Sequence, residues 1–154
     1  MFQYLIALYL LKSIGDATFY DDYDANVPFK TEIAAEEARD GYHRTKLYFD
    51  TQPGERLPVI LTRPLAFEGK APCVIFLHGI GQSKEFIDEI TAPFNQSGFA
   101  MATFDQYMQG ERKLPRDTHY LLHAKAFRRR AAVTVVDTRR LVDYLQSRED
   151  IDPN

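Results

Sequence analysis

The stretch from Pro72 to Gly81 constrains the fold of this chain more than any other part of the sequence. It reads Pro-Cys-Val-Ile-Phe-Leu-His-Gly-Ile-Gly, an unbroken apolar run that ends in a histidine and two glycines. A strand that is apolar at every position has both faces covered, which is typical of a central parallel strand in an α/β sheet. Glycines after such a strand let backbone N–H groups approach a ligand closely. The stretch therefore predicts a buried strand that leads into a functional turn.

Composition favours one globular domain that binds a small molecule. The chain has 154 residues, of which 45% are hydrophobic and 27% are charged. Its formal net charge of -3 does not supply the concentrated positive charge that binds nucleic acid. The single cysteine, Cys73, lies in the apolar run and is expected to be a small buried hydrophobe. His119 and His123 have no cysteine or carboxylate motif beside them, so no metal site is predicted.

Residues 1–40 are predicted to form an N-terminal helix and an irregular arm, ahead of a domain over residues 41–154. The apolar block Met1–Lys12 has the character of a signal peptide, but no basic residue precedes it and no small-residue cleavage site follows it. A bilayer span takes about 20 apolar residues, so the block is too short to cross a membrane. We expect a helix packed on the domain and a cytoplasmic protein, with a signal peptide as the alternative. Thr31–Arg39 is expected to add a short helix.

Four segments have the apolar pattern of β-strands. In the first, Thr45, Leu47 and Phe49 alternate with polar or charged residues at a period of two, and a Pro-Gly turn comes after it. The predicted strands are Tyr42–Asp50, Leu57–Thr62, Pro72–Leu77 and Phe99–Phe104.

Two predicted helices complete the pattern. Ser83 is expected to cap the first helix through its hydroxyl group. The second helix is predicted over Leu122–Ser147, with a solvated face that carries Arg128–Arg130, Arg139 and Arg140. The order strand, strand, strand, helix, strand, helix favours an α/β fold with parallel strands.

Three short motifs and the first predicted strand occur in a fixed order. The motifs are the turn His78–Glu85, the strand that ends at Asp105, and Gly110-Glu111-Arg112 beyond it. Together with Gly41-Tyr42-His43-Arg44, they resemble the N-terminal half of an α/β-hydrolase of the dienelactone hydrolase and acetyl xylan esterase-like branch. The resemblance covers residues 41–154. It implies a partial α/β-hydrolase sheet, with antiparallel first strands and then parallel strands with flanking helices, truncated before the nucleophile strand.

The resemblance implies roles for residues of the two turns. In such enzymes the residue after His-Gly supplies a backbone N–H group to the oxyanion hole, which assigns this role to Ile80, with Gly81 as the alternative. Other residues are expected to support the turn, anchor the next loop or line the mouth of the site. They are His78, Gly79, Asp105, Glu111 and Arg112. The family's nucleophile, acid and histidine all fall later than Asn154 in the sequence order of these enzymes.

Ser83 is the serine that lies between a predicted strand and a helix. The segment from Gly81 to Glu85 matches half of the Gly-x-Ser-x-Gly nucleophile elbow, but Glu85 occupies the position of the second glycine. We therefore interpret Ser83 as a helix cap and predict no nucleophile in this chain. The chain alone is expected to be inactive.

Two hypotheses of different classes fit these residues. The first is a serine hydrolase of small acyl esters, such as acetylated carbohydrates, that uses no cofactor and to which this chain contributes the oxyanion-hole turn. The second is a non-catalytic α/β module or subunit. In the family's sheet the third strand lies between the fourth and the fifth, so Cys73–Leu77 is expected to present an unpaired edge to a completing chain or to a second copy. A nucleotide-binding domain fits the element order, but the chain lacks both glycine-rich phosphate motifs.

Overall fold

The computed structural model describes residues 23–52, 54–65, 67–114 and 124–154. The apolar block Met1–Lys12, the helix predicted there, and His119 and His123 lie outside these residues. Within the described part of the chain, no helix is long and apolar enough to span a bilayer.

The described strands form one five-stranded mixed sheet. They are β1 (Glu32–Arg39), β2 (Tyr42–Gln52), β3 (Glu55–Pro64), β4 (Cys73–Ile75) and β5 (Ala100–Phe104). Their order across the sheet is β1-β2-β3-β5-β4. Neighbours are antiparallel from β1 to β5, whereas β4 runs parallel to β5. The predicted fold class, with antiparallel first strands and then a parallel pair, is confirmed.

The prediction of a helix at Thr31–Arg39 is wrong, because this segment forms β1 and pairs with β2. The Asp40-Gly41 dipeptide makes the hairpin, and Gly41 adopts a φ of +86°, which favours glycine. Helix propensity is a weak preference that tertiary pairing often overrides. The hydrogen bonds to β2 decide the conformation here.

The strand predicted at Pro72–Leu77 is not central in the described sheet, and its position agrees with the expectation that Cys73–Leu77 presents an edge. The strand β4 is only three residues long, its residues are half-buried, and it lies at one edge, beside β5. Leu77, two residues beyond its end, is 45% exposed. A continuous apolar run indicates that both faces of a strand are covered, but it does not show which elements cover them.

Two helices pack on opposite faces of the sheet, α1 (Ile87–Gln96) and α2 (Ala124–Gln146). The side chains of β3 alternate between the two faces that the helices cover, because successive side chains of a strand point to opposite faces of a sheet. Leu57, Val59 and Leu61 belong to the buried cluster that includes α2. Ile60 belongs to the cluster that includes Ile87 of α1. Two short 3₁₀ turns, Lys84–Phe86 and Gly110–Arg112, lie in the connections.

The prediction that the arginines of α2 form a solvated face is wrong for Arg130, which is buried and donates a hydrogen bond to Gln106, and for Arg140, which is completely buried. The guanidinium group of Arg140 donates hydrogen bonds to the carbonyl oxygens of Ala25 and Val27 and lies 4.2 Å from the centre of the Phe29 ring. Burial lowers the pKa of Arg140, and the carbonyl groups and the ring offset part of the cost of burying the charge. Arg140 thus holds residues 25–29 against α2.

Candidate functional site

Two turns meet at the carboxyl ends of the parallel strands β4 and β5. The first, residues 78–83, lies beyond β4, and the second, residues 105–112, lies beyond β5. Parallel neighbours end at the same edge of a sheet, which is where α/β proteins place their ligands. The turns are joined directly, since the backbone N–H of Gly81 donates a hydrogen bond to Oε1 of Gln109 at 2.8 Å.

His78 is a buried part of the first turn. Its Nδ1 lies 3.0 Å from the carbonyl oxygen of Gly79, and its Nε2 lies 3.5 Å from the backbone nitrogen of Gln106. The Gln106 side chain donates in turn to the His78 carbonyl oxygen at 2.5 Å. The imidazole side chain has no exposed surface. Its contacts therefore tie the two turns together and direct it away from solvent.

The backbone amides of the first turn differ in their partners. The N–H of Gly79 donates to Oε1 of Gln82 at 2.8 Å, and the N–H of Gly81 is taken by Gln109. Ile80 is 55% exposed, and its N–H has no hydrogen-bond partner within the described residues. Of the two donors considered from the sequence, Ile80 and Gly81, only Ile80 presents an unoccupied N–H group.

Asp105 connects the two turns through its side-chain carboxylate group. It is completely buried at the end of β5, and its Oδ1 accepts a hydrogen bond from the backbone N–H of Lys84 at 2.9 Å. Its Oδ2 accepts from Nζ of Lys84 at 2.7 Å and from the backbone N–H of Glu111 at 2.9 Å. Ser83 makes no side-chain cap bond, so its predicted capping role is wrong. The carboxylate of Asp105 satisfies the first amide of that 3₁₀ turn instead.

Lys84 is the cation at the centre of this contact. Its side chain is completely buried, and Nζ also lies 2.6 Å from Glu111 Oε1 and 2.9 Å from Glu85 Oε1. Burial disfavours the charged amine, but hydrogen bonds to Asp105, Glu111 and Glu85 outweigh burial and raise the pKa of Lys84 above its ordinary value. Lys84 therefore remains an ammonium ion and links three carboxylates.

Glu111 and Arg112 reach different partners. Glu111 accepts hydrogen bonds from Lys46 Nζ and the Tyr48 hydroxyl group, both at 2.7 Å, in addition to Lys84. Burial opposes ionisation, but these donors outweigh it and lower the pKa of Glu111 to about 2. Arg112 binds Asp137 of α2 at 2.5 Å, although burial still raises the pKa of that carboxyl group. The second turn is thereby fixed to both β2 and α2.

The described residues do not bring together a nucleophile, a base and an acid. No described histidine bonds the Ser83 hydroxyl group, and His78 contacts Gly79, Asp105 and Gln106 instead. Within the described ranges, no three histidine, cysteine, aspartate or glutamate side chains lie together as metal ligands. Cys73, expected from the sequence to be buried, is half-buried, and this burial raises the pKa of its thiol to about 12.

Three residues of the site were not singled out from the sequence: Gln82, Gln109 and Lys84. Each lies in one of the two connections beyond β4 and β5. That position is the one signal that could have found them, because the carboxyl ends of parallel neighbours meet.

Comparison with solved structures shows the fold. A Bacteroides fragilis protein assigned as an acetyl xylan esterase matches with a TM-score of 0.68 and 14% identity, over 82% of this chain and 40% of its own. The acetyl xylan esterase of Paenibacillus sp. R4 matches with a TM-score of 0.63 and 16% identity, over 93% and 48%. The dienelactone hydrolase-like promiscuous phosphotriesterase P91, from metagenomic libraries, matches with a TM-score of 0.50 and 17% identity, over 74% and 46%. This chain has part of the α/β-hydrolase fold.

The chain spans less than half the length of each of these three structures. No protein-family model matches its sequence, and no curated protein is significantly similar to it. The resemblance to the acetyl xylan esterase and dienelactone hydrolase branch is confirmed as a likeness of fold.

Replacing Gly110 by alanine is expected to break the contact that joins the two turns of this hydrolase fold. A Cβ atom on Gly110 would overlap the carboxyl group of Asp105, and Gly110 has a φ of +52°. Asp105 is buried and holds three hydrogen bonds, so it has no room to move away. We expect Gly110→Ala to lower the free energy of unfolding by about 3 kcal/mol, from overpacking and backbone strain together, in urea denaturation.

Gly69→Ala is the matched control. Gly69 also has a positive φ, +97°, but nothing lies within 4 Å of an added Cβ atom. This variant reports backbone strain alone and is expected to lose about 1 kcal/mol. Equal losses in the two variants would contradict a role for the contact with Asp105.

Glu111→Gln is expected to remove a pH-dependent part of the stability. Because the folded pKa of Glu111, about 2, lies below its ordinary value of 4.5, the ionised carboxylate stabilises the fold above about pH 4.5. That stabilisation is lost as the pH falls toward 2. The side chain is 38% exposed and screened by solvent, so we expect the variant to lose roughly 1 kcal/mol near neutral pH.

Urea unfolding of both proteins near neutral pH and at about pH 3 measures this loss, which is expected to shrink at the lower pH. Glu36→Gln, at an exposed position of β1, controls for the loss of one surface charge. A difference between Glu111→Gln and the unsubstituted protein that stays constant over this pH range would show that the carboxylate does not contribute as an ion.

Proposed function

We propose that this chain is part of a serine hydrolase that cleaves carboxylic esters, and that it contributes the oxyanion-hole turn. The observation that carries this proposal is the unoccupied N–H group of Ile80, which lies in a turn at the carboxyl ends of β4 and β5. The amides on either side of it are already bonded to glutamine side chains. The esterase names of the structures with the same fold support the reaction class.

The chemistry of ester cleavage calls for such a group. Attack on an ester carbonyl moves negative charge onto its oxygen, and a backbone donor that is fixed beforehand stabilises this charge without reorganising. The N–H of Ile80 would be one donor, and the residue after the nucleophile would supply a second. We propose a small acyl ester as the substrate, with an acetylated carbohydrate favoured by the names of the similar structures.

Ile80→Pro tests this role because proline has no N–H group. The assay is hydrolysis of 4-nitrophenyl acetate by a full-length protein that contains this chain. We expect kcat to fall by about 10²–10³-fold while KM changes little. Ile80→Ala is the control, because it keeps the N–H group and alters a side chain that is 55% exposed. An equal loss in the alanine variant, or no hydrolysis by the folded parent protein, would contradict the proposal.

For the 154-residue chain alone, the same proposal implies no triad-dependent turnover. Among the described residues, the hydroxyl group of Ser83 has no imidazole in hydrogen-bond contact to take its proton. A fluorophosphonate probe is therefore expected to leave Ser83 unlabelled. Labelling at this serine would show that the chain carries its own nucleophile.

A second candidate function is a non-catalytic module that pairs with another chain through the outer edge of β4. One observation favours it: Ala71 already forms a parallel bridge with Ile151 on this edge. The Ala71 N–H donates to the Asp150 carbonyl oxygen at 3.1 Å, and the Asp152 N–H donates to the Ala71 carbonyl oxygen at 2.9 Å. Backbone groups of a strand alternate in direction, so those of Cys73 and Ile75 face the same side.

Ile75→Pro tests the second candidate because it removes one N–H group from the outer edge and none from the pairing with β5. If the edge recruits a second copy, the parent chain assembles with rising concentration in light scattering, and the proline variant stays monomeric. Far-UV circular dichroism checks that the variant keeps its fold. A parent chain that remains a monomer at high concentration argues against self-association through this edge.

A further inference from the structure

We propose that Gln109 is a positioning residue that orients the N–H group of Ile80 toward the substrate. This inference rests on the proposed role of Ile80 as an oxyanion donor. Gln109 lies on the second turn and is only 3% exposed. Its Oε1 accepts the N–H of Gly81, 28 positions away in the sequence, at 2.8 Å. This hydrogen bond is therefore a long-range contact that fixes the first turn relative to β5.

The hydrogen bonds of the first turn hold three successive peptide units. The unit before Gly79 is held by Gln82 through its N–H and by Gln106 through the His78 carbonyl group. The unit before Gly81 is held by Gln109. The unit that carries the N–H of Ile80 lies between these two. It is also held through its own carbonyl group, since the Gly79 oxygen accepts from the backbone N–H of Gln82 at 3.2 Å and lies 3.0 Å from Nδ1 of His78. Since peptide units are planar, bonds on this unit and on both neighbours leave its N–H group little freedom to rotate, and Gln109 supplies the bond on the Gly81 side.

The backbone around Gln109 is itself held. The N–H of Gln109 donates to the carbonyl oxygen of Gln106, and its own carbonyl oxygen accepts from Arg112, both at 3.0 Å. Met108, the preceding residue, has a φ of +67°, a conformation that residues other than glycine seldom adopt. Such conformations persist where the surroundings determine them, and they concentrate at functional sites. The side chain of Gln109 therefore extends toward Gly81 from a backbone that is itself held in place.

The side-chain amide group of Gln109 is oriented so that its oxygen bonds to Gly81, although its nitrogen then lacks a partner among the described residues. Its Nε2 is buried and has no hydrogen-bond partner among the described residues. Rotating the amide group by half a turn would place Nε2 against the N–H of Gly81, two donors facing each other. Unpaired buried donors are rare in native proteins, so one that is retained calls for an explanation. Here the explanation is that the carbonyl end is required at Gly81.

Amide hydrogen exchange of the labelled 154-residue chain tests the inference without any catalytic assay. In the parent chain we expect Ile80 to exchange quickly and Gly81 slowly. Gln109→Met removes the acceptor but keeps the volume of the side chain, so it is expected to speed the exchange of Gly81 by about tenfold or more and to leave Gly79 unchanged. Gln82→Met is the matched control, for which we expect faster exchange of Gly79 and unchanged exchange of Gly81. Unchanged exchange of Gly81 in Gln109→Met would overturn the proposal.

Kinetics separate positioning from a purely structural role. In a protein that hydrolyses 4-nitrophenyl acetate, Gln109→Met is expected to lower kcat by about ten- to a hundredfold with KM unchanged, because only the transition state carries the negative charge. Gln109→Glu keeps an acceptor for Gly81 but adds a negative charge, so we expect slow exchange of Gly81 together with a kcat that rises as the pH falls and the new carboxylate is protonated.

The outcomes distinguish this inference from the proposed function. Full kcat in Gln109→Met, in an active parent protein, overturns the positioning role. A folded parent protein that hydrolyses no ester, with the expected exchange pattern intact, overturns the proposed esterase function and leaves Gln109 as the residue that orients the turn.

Discussion

The contact between Lys84 and Asp105 is the interaction on which the rest of the site depends. Both side chains are completely buried, and a buried ion pair is stable only when its remaining hydrogen-bonding capacity is also used. Asp105 fulfils this condition by accepting the backbone N–H groups of Lys84, directly after the first turn, and of Glu111 in the second turn, and Lys84 fulfils it by reaching two further carboxylates. The ion pair thus holds backbone groups in place and also balances buried charge. Gly110 is part of the same arrangement, since a side chain there would occupy the space of the carboxylate.

This arrangement explains how a short strand can carry a well-defined turn. The strand β4 pairs with β5 over only three residues, so this pairing alone does little to fix the turn at residues 78–83. The turn is held instead by side chains from the second turn: Asp105 at its far end and Gln109 near its middle. The second turn is in turn anchored to β2 through Glu111 and to α2 through Arg112. A preorganised donor needs a rigid framework of this kind.

The sequence predicts the strands and the first turn because apolar runs and glycines reflect local conformation. It does not predict β1, whose residues Glu32–Arg39 favour a helix in isolation and become a strand by pairing with β2. Nor does it predict the burial of Arg140, which depends on carbonyl groups more than 110 residues away. Gln109 is hidden for the same reason, since its partner Gly81 is distant in sequence. Polar residues reveal their role only when the fold brings their partners close.

The two candidate functions use the same strand and are compatible with each other. Ile151 bridges Ala71 in parallel, so a segment that continued along the outer edge of β4 would run toward the turn at Ile80. A nucleophile must approach within about 3 Å of the atom whose oxygen the oxyanion donor binds. The end of a strand on this edge is well placed to deliver such a group, because the carboxyl ends of parallel neighbours meet. Within the described residues, the edge of β4 beyond Ala71 and the unoccupied N–H group of Ile80 therefore lie toward the same end of the sheet.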